Sequence, residues 1–312
     1  MNKIAVLGAN PAWQKTLVFK EFSYAKVNRA VSIDQFASGK GINFCRACFI
    51  QNTAIPVLLQ FAGGENGRKL LAALDELGIE HATSITSSET RVCTTLLNLA
   101  DHSTTECIEP SYAATEEEIS KLIELAQQVI PQCRAVAVCG TLPGETDCKV
   151  YKQIADIAAE NGVPVLLDAC KNVDGILNSN CKIHLKINKE ELFLLSGKSE
   201  VCAAMKQLFA QYSSLQTVAV TDGPEQAFAS DGKEIAAYTL PVLDLIVSTL
   251  GCGDTASAVY CSNLISDIGY ALAFKMALAA ASANCLSALC GNYNLADAEK
   301  IENMIICSVQ QL

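Results

Sequence analysis

Short apolar runs that end at glycine or at a polar residue alternate along this chain with segments of helical periodicity. The runs include IAVLGA at 4–9, AVAVCG at 135–140 and TVAVTDG at 217–223. Nearly continuous apolar runs of this length are typical of strands that are buried on both faces of a parallel sheet. Because parallel strands need a crossover segment between them, the alternation predicts βαβ units and an α/β fold.

Two pairs of strand-like segments interrupt this rhythm in the first third of the chain, at about 14–36 and 91–109. Their polar and apolar residues alternate, which is typical of strands that bury one face only. The sequence therefore predicts a doubly wound, mostly parallel sheet flanked by helices, in a single domain over 1–312. The two interrupting segments are predicted to form a small β-strand lid. The chain is expected to close with helices that begin after Gly253, Phe274 and Asp297.

Charge and composition exclude several classes of protein. The 312 residues are 50% hydrophobic and 18% charged, with a net charge of −10. An acidic chain without a cluster of lysine and arginine lacks the footprint that binds nucleic acid or an anionic membrane surface. The apolar stretch 271–290 contains Lys275 and Asn284 and is rich in alanine, which favours a helix buried within the protein over a membrane span.

Cysteine is frequent, with fifteen residues. The first residues, MNKIAVLGAN, are typical of a strand rather than of a secretory signal, so we expect a cytoplasmic protein with reduced thiols. Cys45 and Cys48 form a single C-x-x-C pair without the further ligands that a zinc site needs, and are expected to pack in the core. His81, His102 and His184 have no evident partners and are expected to serve surface or core roles.

The strongest local signal is the turn at 251–254, GCGD, which leads into the helical segment ASAVYCSNLI. Glycine amides at the start of a helix are well placed to bind an anion such as phosphate. A carboxylate beside phosphate is repulsive, and Asp254 is explained if it acts as general base for a hydroxyl that attacks the phosphate. The alternative is that Asp254 only stabilises the first turn of its helix.

Two further motifs combine glycine, amide and charged residues. The segment GKGIN at 39–43 places a lysine beside accessible backbone, which suits sugar hydroxyls or phosphate, although an ordinary glycine-rich loop has the same composition. Asn188 and Glu191 stand three residues apart at a predicted helix start and share a face, where they suit Mg²⁺ or its water ligands. The structural alternative is a helix cap with an acidic first turn.

Together and in this order, the motifs resemble those of the ribokinase/PfkB family of sugar kinases. SGKGIN at 38–43 is similar to the family's GGKGxN, GCGD at 251–254 to its GAGD, and KINKEE at 186–191 to its KPNxxE. The likeness spans nearly the whole chain. It implies a ribokinase-like fold and a kinase that uses ATP and Mg²⁺ to phosphorylate a sugar hydroxyl.

Further motifs resemble one branch of the family. GTLPG at 140–144 is similar to the family's SGSLPxG, and NPA at 10–12 and VNRA at 27–30 look most like the 1-phosphofructokinases and tagatose-6-phosphate kinases. This resemblance favours a phosphorylated hexose as substrate. The family usually has an aspartate two residues after NPA, and Gln14 stands there in this chain.

The resemblance implies roles for the residues at matching positions. Asp254 is expected to accept the proton of the sugar hydroxyl. The amides of Gly251, Cys252 and Gly253 are expected to form an anion hole for the transferred phosphoryl group. The residues expected to contact the sugar are Gln14, Gly39, Lys40, Asn43 and Arg91. Lys26 and Arg29 are expected to bind the phosphate that the sugar already carries, across a homodimer formed through the lid.

The resemblance also implies which residues bind the nucleotide. The expected nucleotide-site residues are Lys186, Asn188, Thr221, Gly223, Asn284 and Ser287. Asn188 and Glu191 are expected at the magnesium ion, through water.

Two other functions remain open at this stage. The first is a kinase for an unphosphorylated sugar or a nucleoside, and the second is a catalytically silent module that senses a sugar or nucleotide. The lid cations Lys26, Arg29 and Arg91 argue against the first, because a neutral substrate has no need of them. Asp254 argues against the second, because binding alone gains nothing from a carboxylate that faces phosphate.

Overall fold

The computed structural model describes residues 2–101, 103–224 and 226–312. His102 therefore lies outside the described residues. The described residues contain two β-sheets, ten α-helices and one short 3₁₀ helix, Ile130–Gln132. The strands are β1 (Asn2–Leu7), β2 (Ala12–Phe19), β3 (Ser32–Ser38), β4 (Ala54–Gly63), β5 (Glu80–Thr86), β6 (Val92–Asn98), β7 (Thr104–Ile108), β8 (Ala135–Cys139), β9 (Val165–Asp168), β10 (Ile183–Asn188), β11 (Leu215–Asp222), β12 (Gln226–Ser230), β13 (Glu234–Thr239) and β14 (Ile306–Gln311). The helices are α1 (Lys40–Gln51), α2 (Gly64–Glu76), α3 (Glu116–Val129), α4 (Lys149–Glu160), α5 (Asp174–Leu177), α6 (Lys189–Ser196), α7 (Val201–Gln211), α8 (Cys252–Leu264), α9 (Tyr270–Asn284) and α10 (Leu295–Met304).

The large sheet has ten strands in the order β14-β13-β12-β11-β10-β9-β8-β1-β4-β5. Seven neighbouring strands run parallel, in the order β11-β10-β9-β8-β1-β4-β5. Strands β12, β13 and β14 extend one edge of the sheet in antiparallel pairs. After β1 the chain builds the sheet outward through β4 and β5, then returns to β8 and builds in the opposite direction. This doubly wound order opens a crevice at the carboxyl ends of β1 and β8, where ligands bind in such sheets.

Helices cover both faces of the large sheet, which explains the continuous apolar runs of its strands. In β1, Ile4 and Val6 pack into a cluster with residues of α1, α2, α8, α9 and α10. Ala5 and Leu7 pack into a second cluster with residues of α3, α4, α5, α6 and α7. Successive residues of a strand point to opposite faces, so a strand between two helical layers is apolar at every position.

The predicted helix after Phe274 is wrong at its start, and the predicted helical end of the chain is incomplete. Helix α9 begins at Tyr270, and β14 follows α10 and pairs with β13 at the sheet edge. Every residue of β14 is exposed, so its sequence lacks the apolar run that identifies a buried strand. The edge strand β5, EHATSIT, also lacks an apolar run and went unpredicted.

The small sheet contains the two inserted segments, in the order β3-β2-β6-β7. Strands β2 and β6 pair in parallel, and the two outer strands pair antiparallel to them. One face of this sheet lines a cleft above the carboxyl ends of the large sheet. This arrangement confirms the predicted small separate sheet, which is called the lid below.

Two glycines set the distance between β1 and α1. A Cβ atom on Gly41 would lie 2.6 Å from the Cα of Gly8, closer than such atoms approach in proteins. The backbone of the first turn of α1 is therefore in direct contact with the end of β1.

The two apolar features singled out in the sequence lie in the core. None of the described helices is long and apolar enough to cross a membrane; much of 271–290 forms α9, where Phe274 and Ala277 are fully buried. Cys45 and Cys48 are fully buried on α1, as expected for packing residues.

Candidate active site

A cleft of about 510 Å³ separates the small sheet from the carboxyl ends of the large sheet. Strands β2, β3, β6 and β7 supply one wall, and the opposite wall consists of the starts of α1 and α8 and the ends of β9 and β10. The polar side chains that face each other across this cleft come from segments far apart in the sequence.

Asp254 lies in the first turn of α8 with only 8% of its surface exposed. The Nδ2 of Asn43, on α1, donates a hydrogen bond of 2.8 Å to its Oδ2. Burial, together with the charge of Asp168, raises the pKa of Asp254 above its ordinary value, although Lys40 and the bond from Asn43 oppose this shift. A carboxylate of raised pKa is a better proton acceptor than a solvated one, which suits a general base.

The glycine turn before α8 has a backbone that only glycine adopts readily. Gly251 has φ +77°, and a Cβ there would lie 2.7 Å from the Cβ of Cys290. Asn284 is fully buried behind the turn, donates a 3.0 Å hydrogen bond to the carbonyl of Leu250 and accepts one from Thr255. The turn is therefore fixed from behind, and Gly251 and Gly253 line the cleft in front.

Asp168 is buried at the cleft and pairs with two lysines, of which Lys186 is buried and Lys40 is partly exposed. Its Oδ1 lies 3.1 Å from Nζ of Lys40, and its Oδ2 lies 3.7 Å from Nζ of Lys186 and accepts a 2.6 Å hydrogen bond from Ser257. Lys186 also donates a 3.0 Å hydrogen bond to the carbonyl of Gly253. Burial alone would raise the pKa of Asp168, but Lys186 and Lys40 outweigh it, so that pKa lies below its ordinary value.

The same network keeps Lys40 charged. The negative charge of Asp168 raises the pKa of Lys40 despite the partial burial of the lysine. Lys40 therefore presents a cation at the cleft wall that does not titrate near neutral pH.

Asn188 and Glu191 form a complete capping box at the start of α6. The Oδ1 of Asn188 accepts from the amide of Glu191 at 2.8 Å, and the Oε2 of Glu191 accepts from the amide of Asn188 at 2.9 Å. The helix cap that was stated as the alternative role for this pair is thus present. Both residues also line the cleft, so a role in the cap is compatible with contact to a ligand there.

Gln14 and Arg91 reach the cleft from the lid side. Gln14 lies in β2, is 8% exposed, and donates a 2.8 Å hydrogen bond from Nε2 to Oγ1 of Thr95 on β6. Arg91 precedes β6, and its Nη2 donates a 3.1 Å hydrogen bond to the carbonyl of Asn10. These side chains place an uncharged amide and a cation at the cleft.

Arg46 fixes the orientation of Asn43 from within the core. Its Nη1 donates to Oδ1 of Asn43 at 3.3 Å, and its Nη2 donates to the carbonyl of Ala37 at 2.7 Å. With Oδ1 of Asn43 accepting from Arg46, the amide nitrogen is the group that faces Asp254.

A second, largely apolar cavity of about 600 Å³ lies on the other side of the glycine turn. Cys252 and Gly253 line it together with Thr221 and Gly223. Its apolar lining consists of Leu240, Pro241, Val242, Leu243, Ile246, Ala256, Leu278 and Ala281. Thr221 and Gly253 line both this cavity and the cleft, so the two spaces meet at the turn.

A sequence model described as "pfkB family carbohydrate kinase" matches residues 1–297. This chain belongs to the pfkB family of carbohydrate kinases. Membership makes the protein a sugar kinase, a phosphotransferase with an alcohol acceptor.

Several solved structures have the same fold. A putative phosphofructokinase from Staphylococcus aureus is 23% identical, with 99% of each chain covered and a TM-score of 0.80. Phosphofructokinase-2 from Escherichia coli, in complex with fructose-6-phosphate, is 21% identical, with 97% of this chain and 99% of that chain covered and a TM-score of 0.87. A possible 1-phosphofructokinase from Thermotoga maritima is 16% identical, with 99% of each chain covered and a TM-score of 0.82. These likenesses establish the ribokinase-like fold.

Most of the residues singled out for the pfkB site lie together. The cleft is lined by Gln14, Gly39, Lys40, Asn43, Arg91, Lys186, Asn188, Glu191, Thr221, Gly251, Gly253 and Asp254. Cys252 and Gly223 line the adjoining apolar cavity. Asn284 lies behind the turn, and the hydroxyl of Ser287 accepts hydrogen bonds from Leu289 and Asn292. Lys26 and Arg29 are exposed on the loop between β2 and β3, and neither lines the cleft within the described part of this chain.

Asp168, Ser257 and Arg46 were missed by sequence reasoning. Asp168 ends the apolar run VLLD, and a carboxylate at the carboxyl end of a predicted parallel strand is a signal that would have found it. Ser257 and Arg46 lie within helices, and nothing in their local sequence distinguishes them from packing or surface residues.

Proposed function

We propose that this pfkB kinase transfers the γ-phosphate of ATP to a hydroxyl of a phosphorylated hexose, as a 1-phosphofructokinase or tagatose-6-phosphate kinase does. One observation carries the proposal: the turn at 251–254 stands where a polar cleft meets an apolar cavity. A sugar in the cleft and a nucleotide base in the cavity would meet at this turn, where Asp254 lies.

The apolar cavity suits the adenine of ATP in size and lining. Gly223 leaves open space at its edge, because a Cβ there would have no neighbour within 4 Å. The turn amides at 251–253 would face the phosphates at the positive end of α8. Asn284 supports these amides through the carbonyl of Leu250 rather than from the cavity wall.

The residues near the phosphates fit Mg²⁺ held largely by phosphate and water. The described residues include no group of three or more His, Cys, Asp or Glu that would hold a metal ion. Mg²⁺ commonly keeps several waters and takes only one or two carboxylates besides substrate phosphates. Glu191, with Asn188, would contact its water ligands, and the ion would neutralise charge on the phosphates.

Asp254 would act as base from one carboxylate oxygen. Its Oδ2 is held by Asn43, which leaves Oδ1 for the proton of the sugar hydroxyl. Arg46 keeps Asn43 in the donating orientation, and the cation of Lys40 would stabilise negative charge that develops nearby. The body of the protein thereby positions the base before substrate binds.

The substrate is proposed to carry a phosphate because this acidic protein places cations on the cleft wall and on the lid loop. Lys40 and Arg91 line the cleft itself, whereas Lys26 and Arg29 are exposed on the lid loop. Tyr24 and Val27, on the same loop, are 93% and 82% exposed. Such apolar exposure supports a homodimer through the lid, in which Lys26 and Arg29 would reach the partner's cleft. A cytoplasmic location belongs to this proposal, because ATP and sugar phosphates are cytoplasmic metabolites.

A panel of sugars and sugar phosphates, with ATP consumption as the readout, tests the proposal. We expect the highest kcat/KM for a hexose phosphate and no turnover without Mg²⁺. A matched Asp254→Asn protein serves as the control for contaminating activity. A preference for an unphosphorylated sugar or a nucleoside would refute the phosphohexose assignment, and turnover of none of them would support a silent sensing module.

A further inference from the structure

Two thiols are in contact beside the glycine turn. Sγ of Cys252 lies 3.2 Å from Sγ of Cys285. Cys252 is the first residue of α8, at the centre of the turn, and Cys285 follows the last residue of α9. Both are partly exposed and both line the apolar cavity. A small solute that enters the cavity therefore reaches both sulfurs, and the proposed phosphoryl transfer uses neither.

The contacts of the pair favour a thiolate on Cys285. Hydrogen bonding from Cys252 lowers the pKa of Cys285 below its ordinary value, although burial opposes the shift. The Nδ2 of Asn284 in turn lies 3.3 Å from Sγ of Cys252. Burial has the opposite effect on cysteines of the core and raises the pKa of Cys48 to about 12. The hydrogen bond to Cys285, together with burial, raises the pKa of Cys252, which stays the protonated partner. The thiolate is the reactive form of cysteine, so Cys285 is more reactive than the core thiols.

We infer that Cys252 and Cys285 form a reversible disulfide that switches the kinase off, with a hydroperoxide as the oxidant. The thiolate of Cys285 attacks the peroxide, the O–O bond breaks, and a sulfenic acid and an alcohol (water, from hydrogen peroxide) result. The sulfur of Cys252 then attacks the sulfur of Cys285, and the hydroxyl leaves as water with the proton of Cys252. In sum, two thiols and one hydroperoxide give one disulfide, one alcohol and one water.

The bond would disturb the turn on which phosphoryl transfer depends in the proposed function. A disulfide requires an S–S distance of about 2.05 Å, so the two sulfurs must move closer than their present 3.2 Å. Cys252 carries one of the proposed anion-hole amides, and Asn284, which braces the turn, contacts its sulfur. Loss of one such donor lowers kcat by about 10²–10³-fold, and we expect a loss of at least about 10-fold here.

Peptide mapping of the whole protein under non-reducing conditions tests the bridge directly. The reduced protein is treated with hydrogen peroxide, quenched and digested. We expect a peptide pair that joins Cys252 to Cys285 and is lighter by two hydrogens than the separate peptides. Kinase activity should fall in proportion to the fraction of protein that carries this cross-link, and it should return when dithiothreitol is added.

Variants separate this pair from the other cysteines. Cys285→Ser and Cys252→Ala, each compared with its own untreated activity, should resist peroxide at doses that inactivate the unchanged protein. Cys148→Ser removes an exposed cysteine on a different element, just before α4, and should remain as sensitive as the unchanged protein. Equal sensitivity of Cys285→Ser, a bridge from Cys252 to Cys290 instead, or a bridge without loss of activity would each overturn the switch.

The two readouts also separate the switch from the proposed function. Mapping detects the bridge whether or not the protein phosphorylates any sugar. If the bridge forms but no sugar is phosphorylated, the proposed function is overturned, and the proposed regulation of it is overturned as well. The disulfide itself would still be established. A protein that turns over a hexose phosphate but forms no bridge would overturn the switch alone.

Discussion

The large and small sheets meet at one cleft, but their strands differ in burial. Every residue of β8 and β9 in the large sheet is buried, whereas every residue of β7 in the small sheet is exposed. Helices cover the large sheet on both faces, and the small sheet buries at most one. A substitution in the large sheet therefore disturbs packing, and one in the small sheet changes mainly what the cleft contacts.

The body of the protein and the lid also present different polar groups to the cleft. Asp254 and Asp168, from the body of the protein, are charged, buried and held by hydrogen bonds. Gln14, from the lid, is uncharged and is held by Thr95. We therefore expect the body to determine the reaction and the lid to determine the substrate.

The largest expected effect is that of Asp254→Asn on turnover. Loss of a general base lowers kcat by about 10²–10⁴-fold, while the KM for ATP should change little because the cavity is untouched. Steady-state kinetics of the purified variant measure both. Asp267→Asn, at an exposed aspartate beyond α8, is the matched control and should retain full turnover. Near-normal kcat in Asp254→Asn would remove the catalytic role.

The second prediction concerns the stability of the body. Asp168→Ala leaves Lys186 buried without its carboxylate partner, and breaking a buried ion pair in this way costs about 3–5 kcal/mol. Urea unfolding followed by circular dichroism measures the loss.

Asp222→Ala is the matched control for that measurement. It breaks a pair with Lys189 in which the side chains are 40% (Lys189) and 33% (Asp222) exposed, so it should cost less than about 1 kcal/mol. Equal losses from the two variants would contradict the distinction between a buried network and a surface pair.

The third prediction concerns the lid. Arg29→Ala should raise the KM of a phosphorylated hexose by about 10–100-fold, since a charge-assisted hydrogen bond contributes about 1.5–3 kcal/mol. The KM of ATP should stay the same. Lys20→Ala, at another exposed lid cation, should leave both unchanged. If Arg29→Ala leaves the KM of the sugar phosphate unaltered, the lid loop does not bind the phosphate.

The smallest effect is expected in the pH dependence. The base acts only as the carboxylate, so kcat should fall as pH falls through the pKa of Asp254, which burial raises above its ordinary value. The fall should approach about tenfold per pH unit below that pKa. Gln14 does not titrate, so it should cause no change in the KM of the sugar as the pH is lowered. If kcat of Asp254→Asn still falls at low pH, the fall is caused by another group.

Within the large sheet, the sequence predicted the buried strands better than the exposed edge strands. IAVLGA and AVAVCG are identifiable as strands because two helical layers require apolar residues on both faces. β5 and β14 lie at the two edges of the large sheet, where that requirement is absent, and both escaped prediction. The capping box of Thr115 and Glu118 at the start of α3 is likewise a local feature, because a helix cap depends on residues only three apart.

The candidate site shows the same division. The turn at 251–254 and the segment 39–43 were recognised because their residues are contiguous. The pairing of Asp168 with Lys40 and Lys186 could not be predicted, because the two lysines come from distant segments. Such a network exists only after the strands are ordered in the sheet. Lys26 and Arg29 were singled out in the sequence, but their position outside the cleft depends on how the lid loop folds.

The contact between Gly8 and Gly41 limits how this enzyme can be redesigned. Helix α1 carries Lys40 and Asn43, and its first turn rests directly on the end of β1. A single added methyl group at either glycine would push α1 away from the sheet. The side chains of Lys40 and Asn43 would then move away from Asp254. A library that seeks new sugar specificity can therefore vary Gln14, Thr95 and the loop between β2 and β3, but should keep both glycines fixed.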